Sequence, residues 1–553
     1  MAKYEERAVS SGSVILLLIM VFLMLFQPWQ IGGKELYWDE GMYAAEAMEF
    51  NSFPPVTTAH GELIAAGHPL FPMAARALFE IGLPVEYALR LLSIIPAAAI
   101  MIWIFLLARS AGGTAAGGIA AAVWLTSNIV MEKTLDGYPN LMAVFFIYAG
   151  QFLWFTLGQK YNRWDAAWIA AGIFASLAFY TMGIPALMCF VVPFIFQRRP
   201  LSIKHKLQRP GAIAAIIMVA LTILIWFIPY FRAPEEIIEP VEYNFSGYYS
   251  HLIYFPFDLI WRLLPWSLIA WPAFCAAYRP LDPTPIFSRF LRTLFISNFF
   301  LLWLSPLTDV RDMVLLVPPL AILIALNYSI LMRRYGSFYW KILRIFPYLT
   351  VILGIVTVAL FLAENSFMEQ ALTLLRIDPQ ILDFRLERTA TINGVAAGTI
   401  IFLIGLYMLC RRKGMPLWVI TTLVMTVPML FMWAVTRPYT SQKMPKRKWA
   451  AEMNSKISNQ NISHIYKWNI SGLYGECFYL GIPVTEIDEL EQLPKQPDEI
   501  FLLGTSFPQL PERNWSKIAE TRLLDASDDE RSLSIYRGKL VTQDAGKKNH
   551  DNK

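Results

Sequence analysis

Charged residues are scarce in this sequence. Asp, Glu, Lys and Arg make up 16% of its 553 residues, whereas a soluble domain carries roughly 25%. Hydrophobic residues reach 56% and aromatic residues 14%. This balance excludes an ordinary soluble globular protein and indicates that a lipid bilayer surrounds much of the chain.

Cysteines are also few. Cys189, Cys275 and Cys410 lie in apolar runs, and Cys477 stands alone in the C-terminal region. The sequence contains no CxxC pair and no spacing typical of metal ligands or of a disulfide framework, so we expect buried thiols. We expect no cofactor and no essential metal; a divalent metal near the carboxylates described below is compatible with the sequence but not indicated by it.

The net charge of +5 comes from loops between the apolar runs. Nucleic-acid-binding surfaces carry basic patches interleaved with aromatic residues, and the sequence has no such patch. We therefore expect no nucleic-acid partner.

Apolar runs near the ~20 residues that cross a bilayer recur from Val14 to about Val435. The first run, "SVILLLIMVFLMLF", is followed by "QPWQIGG" and not by a small-x-small cleavage site, which predicts a retained span instead of a signal peptide. About 13 spans are predicted, at 13–29, 88–108, 114–131, 139–157, 165–181, 184–197, 211–230, 265–278, 292–305, 313–331, 344–363, 392–410 and 415–436.

The distribution of Lys and Arg predicts the orientation of these spans. The segments "QKYNRW", "QRRPLSIKHKLQRP", "RRYGSFYWKILR" and "CRRKG" are rich in both residues, so the positive-inside rule places them and the N-terminus in the cytoplasm. Three long loops, 31–87, 231–264 and 364–391, then face outward. The membrane domain is predicted to cover 1–438, in the plasma membrane or bacterial inner membrane.

The C-terminal region is polar and reads as a small extracytoplasmic α/β domain over 439–541. Short strands are predicted at "HIYKW", "IPVTEI", "EIFLLG" and "LSIYRG", and helices at "SGLYGECFYL" and "RNWSKIAE". The final residues, 542–553, are polar and predicted to be disordered.

Charges are nearly absent from the spans and concentrate in the loops predicted to face outward. A transporter usually needs ionisable or broken-helix sites inside the membrane, so this distribution favours chemistry at the membrane surface. A carboxylate can accept a proton from an attacking group, and Arg can hold a phosphate in a bidentate grip. The candidates are Asp39, Glu40, His68, Glu132, Lys133, Asp136, Arg232, Arg262, Asp309, Arg311 and Asp312.

Each candidate also has a simpler interpretation. Asp39 is well placed to be the N-cap of a helix that begins at Glu40, and capping would not exclude catalysis. Asp136 precedes "GYPN" and fits a turn, and His68 fits an ordinary surface histidine. The three arginines fit interfacial anchors for lipid headgroups.

The order of the loop motifs resembles a known family. "YWDEGMYAAEAMEF" is similar to the acidic signature that follows the first span in the protein O-mannosyltransferase and aminoarabinose (4-amino-4-deoxy-L-arabinose) transferase group of GT-C glycosyltransferases. The further matching stretches, in the family's order, are "AGHPLFPMAARALFE", "RLLSIIPAAA", "TLDGYPNLMAVFF", "PWSLIAWPA" and "TDVRDMVLLVPPLAIL". The resemblance covers about residues 10–435.

The resemblance implies roles for individual residues. Asp39 matches the acidic residue proposed as catalytic base, with Glu40 as its neighbour, and Asp136 matches the second acidic position. Arg311 stands where a basic residue holds the donor phosphate. His68 replaces the family's Lys, and a neutral histidine is a poorer phosphate ligand, which shifts donor recognition toward Arg232, Arg262 or Arg311.

The resemblance therefore implies a multi-pass inverting glycosyltransferase with a GT-C fold. Its donor is expected to be a sugar on a polyprenyl phosphate, undecaprenyl phosphate in a bacterium, and its acceptor a membrane-associated lipid, glycan or protein. Two alternatives stay open: another lipid-carrier enzyme of the O-antigen ligase or polymerase type, and a non-enzymatic lipid or glycan flippase.

Overall fold

The chain folds into two compact units. Met1–Lys34 with His68–Tyr439 form the first, called here the membrane unit, and Glu35–Gly67 with Thr440–Lys553 form the second, the C-terminal unit. The computed structural model describes residues 10–540, apart from 28–34, 38, 51–57, 64–67, 198–206, 232–244, 283, 307, 364–369, 371–372, 374–387, 412–414, 444–445, 459, 461, 471, 495–498 and 525–529. The predicted disordered tail, 542–553, and most of the predicted loop 364–391 lie outside the described residues.

The membrane unit is helical. Its described helices are α1 (Ser11–Phe26), α3 (Leu70–Glu80), α4 (Val85–Thr126), α5 (Asn128–Thr134), α6 (Asn140–Phe155), α7 (Trp164–Phe196), α8 (Pro210–Phe231), α9 (Phe245–Arg262), α10 (Pro285–Leu304), α11 (Val317–Leu343), α12 (Phe346–Leu362), α13 (Arg388–Arg411) and α14 (Leu417–Lys443). A π-helical turn, Thr156–Lys160, extends α6, and a 3-10 helix, Val310–Leu316, precedes α11.

Eight helical segments in the described part of the chain are long and apolar enough to cross a membrane. Five of them contain one predicted span each, and the segments Val85–Thr126, Trp164–Phe196 and Val310–Leu362 contain two each. In the first two of these double segments the helix axis breaks at a glycine with positive φ, Gly113 at 82° and Gly183 at 65°, a conformation that residues with a Cβ rarely adopt. Helix α1 is shorter and covers one further predicted span.

The span predicted at 265–278 is wrong as a continuous helix. This stretch forms three 3-10 turns, Trp266–Ile269, Trp271–Ala273 and Ala276–Leu281. Its prolines at 265, 272 and 280 donate no backbone hydrogen bond and interrupt α-helical pairing. Hydropathy detects the apolar run but not these interruptions.

The C-terminal unit is an α/β domain. Its elements are α2 (Glu40–Glu49), β1 (Thr58–Ala59), β2 (Glu62–Leu63), α15 (Lys446–Ile457), β3 (Ile465–Trp468), α16 (Tyr474–Leu480), β4 (Val484–Ile487), a 3-10 turn at Leu490–Gln492, β5 (Glu499–Gly504), β6 (Arg513–Leu524) and β7 (Glu530–Leu540). The main sheet has the strand order β4-β3-β5-β7-β6, and β4, β3 and β5 run parallel.

The core of this domain includes Trp449 and Met453 from α15 together with Ile465, Leu503 and Ile535 from the sheet. The four predicted strands and the helix at "SGLYGECFYL" are present, whereas the helix predicted at "RNWSKIAE" is wrong. That segment belongs to β6, which pairs antiparallel with β7 along its length and has an irregularity between Lys517 and Ala519. Pairing with a neighbouring strand overrides the weak local preference for helix.

Candidate active site

The turn that follows α5 carries the second acidic motif. Lys133 Nζ lies 2.8 Å from Glu132 Oε1 and 3.6 Å from Asp136 Oδ2. Ser93 Oγ, from α4, donates to the carbonyl oxygens of Asp136 at 2.7 Å and Tyr138 at 3.1 Å. The turn is thus fixed by a buried hydroxyl, and the side chains of Glu132, Lys133 and Asp136 occupy defined positions.

Arg262, the last residue of α9, joins this turn to another part of the chain. Its Nε donates to both carboxylate oxygens of Asp258, at 3.0 and 2.9 Å, and its Nη1 lies 3.2 Å from Glu132 Oε2. The pair with Asp258 is four residues apart on one helix, whereas the pair with Glu132 connects α9 to the Asp136 turn. The guanidinium therefore links two predicted motifs.

Arg311 lies at the start of the 3-10 helix Val310–Leu316. Asp309 and Asp312 form a capping box at this end, and Arg311 Nε donates to Asp309. The guanidinium of Arg311 lies over the ring of Tyr138, 4.5 Å from its centroid, and Asn140 Nδ2 donates to Asp312 Oδ1 at 2.8 Å. This loop therefore packs on the residues that directly follow Asp136.

The pKa of Asp309 reflects the same arrangement. Partial burial raises the pKa of this carboxyl, but the hydrogen bond and charge of Arg311, the backbone of Val310 and the charge of Lys133 together bring it below its ordinary value. Asp309 is therefore ionised at neutral pH. Lys133, in the turn that carries Asp136, is thus one of the charges that act on Asp309.

Asp136 is joined to Arg262 through the ion pairs of Lys133 and Glu132. The ion pair of Arg311 with Asp309 lies beside these contacts, with the guanidinium over the ring of Tyr138. Together these residues form one charged cluster of the membrane unit. Its cations Lys133, Arg262 and Arg311 have side chains that are 18%, 21% and 25% exposed, so each is accessible to a ligand while paired with carboxylates. An incoming phosphate can replace a carboxylate partner without leaving a buried charge behind. Lys133 and Glu132 appear among the charged loop residues in the sequence. Only the fold shows that they connect the Asp136 turn to Arg262.

His68 has apolar surroundings. Its ring stacks on that of Trp226, with the centroids 5.7 Å apart, and its centroid lies 6.4 Å from that of the Phe179 ring. The ring also fills the space beside Gly183, since a Cβ added to Gly183 would stand 2.1 Å from His68 Cε1. Burial lowers the pKa of His68 to about 4, so the ring is neutral at pH 7. These contacts give no support to its predicted role as a phosphate ligand. Arg232, another of the predicted donor ligands, lies outside the described residues.

Asp39 and Glu40 belong to the C-terminal unit. Asp39 stands at the N-cap of α2, but its side chain makes no capping hydrogen bond. The carboxylate of Glu40 accepts a hydrogen bond from the backbone N–H of Tyr37 at 2.9 Å and is completely buried. Glu40 therefore stabilises the turn before the helix. Asp39 occupies the predicted N-cap position, but its side chain does not cap the helix.

Across the described ranges of the chain, no three His, Cys, Asp or Glu side chains are grouped closely enough to hold a metal ion. The expectation that the protein needs no metal stays a prediction.

Comparison with known protein families gives one match within the membrane unit. A family model described as dolichyl-phosphate-mannose-protein mannosyltransferase matches residues 66–226, which include His68, Asp136 and Trp226. No curated protein sequence matches the chain.

Two crystal structures of ArnT from Cupriavidus metallidurans align along nearly the whole chain. The one bound to undecaprenyl phosphate has 13% identity and a TM-score of 0.66, covering 96% of this chain and 98% of ArnT. The apo structure has 14% identity and a TM-score of 0.67, covering 95% and 98%. The chain shares the ArnT fold.

The ArnT likeness confirms the fold class, a multi-pass helical membrane protein of GT-C type with a small C-terminal α/β domain. An oligosaccharyltransferase from Archaeoglobus fulgidus, in complex with Zn and sulfate, aligns at 11% identity with a TM-score of 0.41 over 86% of this chain and 62% of that chain. Together with the family model, the ArnT structures confirm the resemblance to GT-C glycosyltransferases found in the sequence.

Proposed function

We propose that this protein is an inverting glycosyltransferase that moves a sugar from a polyprenyl phosphate to a membrane-associated acceptor. The observation that carries the proposal is the charged cluster that contains Lys133, Arg262 and Arg311, three accessible cations beside the second acidic motif. Two further findings support it. The chain shares the ArnT fold, and ArnT has been crystallised with undecaprenyl phosphate.

The reaction is a single displacement. An acceptor hydroxyl or amine attacks the anomeric carbon as the bond between that carbon and the phosphate oxygen breaks, which inverts the configuration. The bonding electrons leave with the lipid phosphate, and the acceptor proton passes to the carboxylate of Asp39. Arg262 and Arg311 stabilise the charge that grows on the leaving phosphate, and Asp136 orients the acceptor or the base.

We further propose that this chemistry takes place at the extracytoplasmic face, with the N-terminus in the cytoplasm and the C-terminal unit outside. The support is the excess of Lys and Arg in the predicted inner loops. The proposed donor lipid is undecaprenyl phosphate, and the proposed acceptor is a lipid, glycan or protein that reaches the membrane surface.

The decisive experiment uses Asp39→Asn in membranes supplied with radiolabelled polyprenyl-phosphate sugars. Loss of a general base typically lowers the rate by roughly 10²- to 10⁴-fold, and we expect a loss in this range with little change in the donor KM. Glu452→Gln, an exposed substitution in the same unit, is the matched control and should retain activity. Transfer by the Asp39 variant at the wild-type rate would remove Asp39 as the base.

A further inference from the structure

The segment that carries Asp39 folds as part of the C-terminal domain. Just before the acidic pair, the carboxylate of Glu35 accepts a hydrogen bond from the backbone N–H of Lys446 at 2.7 Å. The backbone N–H of Leu36 donates to Tyr479 Oη at 2.9 Å. Residues more than 400 positions apart in the chain therefore fix the approach to α2.

Helix α2 then touches α16 backbone to backbone. A Cβ built on Gly41 would stand 2.3 Å from the backbone nitrogen of Gly475 and 2.8 Å from its Cα, so that a side chain here would force one of the two backbones to shift. Gly41 lies only two residues after Asp39, so this crossing sets the position of the first turn of α2. Glycine is required here because of the close approach of the two backbones.

The far end of α2 is tied to the same domain through the hairpin β1–β2. The carboxylate of Glu49 accepts hydrogen bonds from the backbone N–H groups of His60, at 2.7 Å, and Gly61, at 3.1 Å. The carbonyl of His60 accepts from the backbone N–H of Glu486 in β4, at 2.9 Å. The hairpin thus connects α2 to the edge strand of the main sheet.

A buried lysine lies at the centre of this connection. The side chain of Lys467, in β3, is 0% exposed, and its Nζ lies 2.5 Å from Glu486 Oε2 and 3.4 Å from His60 Nδ1. It also donates to the carbonyl of Gly472 at 2.8 Å and lies 4.8 Å from the ring centroid of Tyr474. Burial, reinforced by the charge of Lys467, lowers the pKa of His60 to about 3, so the ring is neutral and its Nδ1 can accept from the ammonium.

We propose that the C-terminal domain is the positioning element of Asp39, and that Gly41 and Lys467 are positioning residues for the reaction. The role of Asp39 itself rests on the proposed function. A catalytic group must be held within about 0.5 Å of its working position, and a 1 Å misplacement can cost about 10²-fold in rate. The contacts at both ends of α2 provide this restraint. The part of the domain that begins at Thr440 therefore acts in catalysis by positioning Asp39, without contributing a reacting group of its own.

The test compares Gly41→Ala, Lys467→Met and Arg537→Gln in the full-length protein in lipid nanodiscs. Alanine favours helix more than glycine does, so a defect in Gly41→Ala cannot arise from a weaker α2. Arg537→Gln breaks an ion pair with Glu499 elsewhere in the same domain and is the control. Hydrogen–deuterium exchange and transfer kinetics are measured well below each variant's unfolding temperature.

We expect Gly41→Ala and Lys467→Met to increase exchange in residues 39–49 and 58–63, and to lower kcat at least tenfold with less than a twofold change in donor KM. Arg537→Gln should change neither exchange in these residues nor kcat. A general structural defect would instead affect donor KM and exchange in the membrane unit as well.

Two results would overturn the proposal: unchanged exchange in residues 39–49 in both variants, or increased exchange with unchanged kcat. Failure of the proposed function has a different signature. If Asp39→Asn transfers sugar at the wild-type rate, the proposed base is wrong, whereas increased exchange in Gly41→Ala and Lys467→Met would still show that the C-terminal domain holds the segment.

Discussion

Arg262 Nη1 lies 3.2 Å from Glu132 Oε2, although 130 residues separate the two in the chain. Glu132 also binds Lys133, which in turn approaches Asp136. One carboxylate therefore contacts two of the three cations on which the proposed function rests, Lys133 and Arg262. We therefore expect Glu132 to keep these cations in place in the absence of donor and to compete with the donor phosphate when it binds.

Substitutions of Arg262 and Glu132 should consequently have opposite effects on donor binding. Arg262→Gln removes a charge-assisted interaction worth about 1.5–3 kcal/mol, so we expect the donor KM to rise about 10- to 100-fold. Glu132→Gln removes a competitor whose half-exposed ion pair contributes less than about 1 kcal/mol, so we expect the donor KM to fall by no more than about fivefold. Steady-state kinetics at constant ionic strength measure both changes. A higher KM for Glu132→Gln would mean that Glu132 supports the donor site instead of competing with it.

Asp39 and Asp136 should be coupled in catalysis if they serve the same step. We expect Asp39→Asn alone to cost roughly 10²- to 10⁴-fold and Asp136→Asn roughly tenfold, because an orienting group contributes less than a base. The double variant should be little worse than Asp39→Asn, since groups that act as a unit are strongly non-additive. The measurement is a double-mutant cycle on kcat/KM.

The matched cycle pairs Asp39→Asn with Glu452→Gln, for which the two effects should multiply. If the effects of Asp39→Asn and Asp136→Asn on kcat/KM also multiply, the two acids serve separate functions.

His68→Lys restores the residue type of the related family at this position, and we expect it to destabilise the protein without improving donor binding. An ammonium against Trp226, Phe179 and Gly183 would be a buried charge with apolar neighbours, which costs more than about 3 kcal/mol. His68→Gln, which stays neutral, should lose less stability. Thermal unfolding of the purified protein and donor KM are the two measurements, and a lysine variant with tighter donor binding and unchanged stability would contradict the expectation.

Glu46 gives the C-terminal unit a specific pH dependence. Burial, reinforced by the charge of Glu49, raises the pKa of Glu46 from 4.5 to about 8. Because the folded state favours the neutral carboxyl, the free energy of unfolding falls as the pH rises from 4.5 through about 8. Glu46→Gln removes this loss and should stabilise the protein at pH 9 by more than about 1.4 kcal/mol, the equivalent of one pKa unit.

The Glu46 variant and wild type should differ little at pH 5, where the buried carboxyl of the wild type is protonated. Thermal unfolding at pH 5, 7 and 9 tests this, with the exposed Glu452→Gln as a control that should show the same small effect throughout. Equal stabilisation by Glu46→Gln at all three pH values would exclude titration of Glu46 as the cause.

Much of the fold could be predicted because its signals are local. Runs of apolar residues identify membrane helices, and even the paired helices within α4 and α7 are separated at Gly113 and Gly183, where the backbone turns. The stretch 265–278 was predicted incorrectly because hydropathy averages over prolines that break the helix. The segment "RNWSKIAE" was predicted as a helix because its strand conformation depends on β7, a partner that lies later in the chain.

The sequence by itself determined a polytopic membrane protein with a C-terminal α/β domain and an acidic pair after the first span, because apolar length and residue order are properties of the chain alone. Only the tertiary structure decided which charges meet. It joins Glu132 to Arg262 across 130 residues and encloses His68 among aromatic rings. It also builds the Asp39 helix into one domain with the chain that begins at Thr440. These contacts depend on long-range packing, which no local pattern encodes.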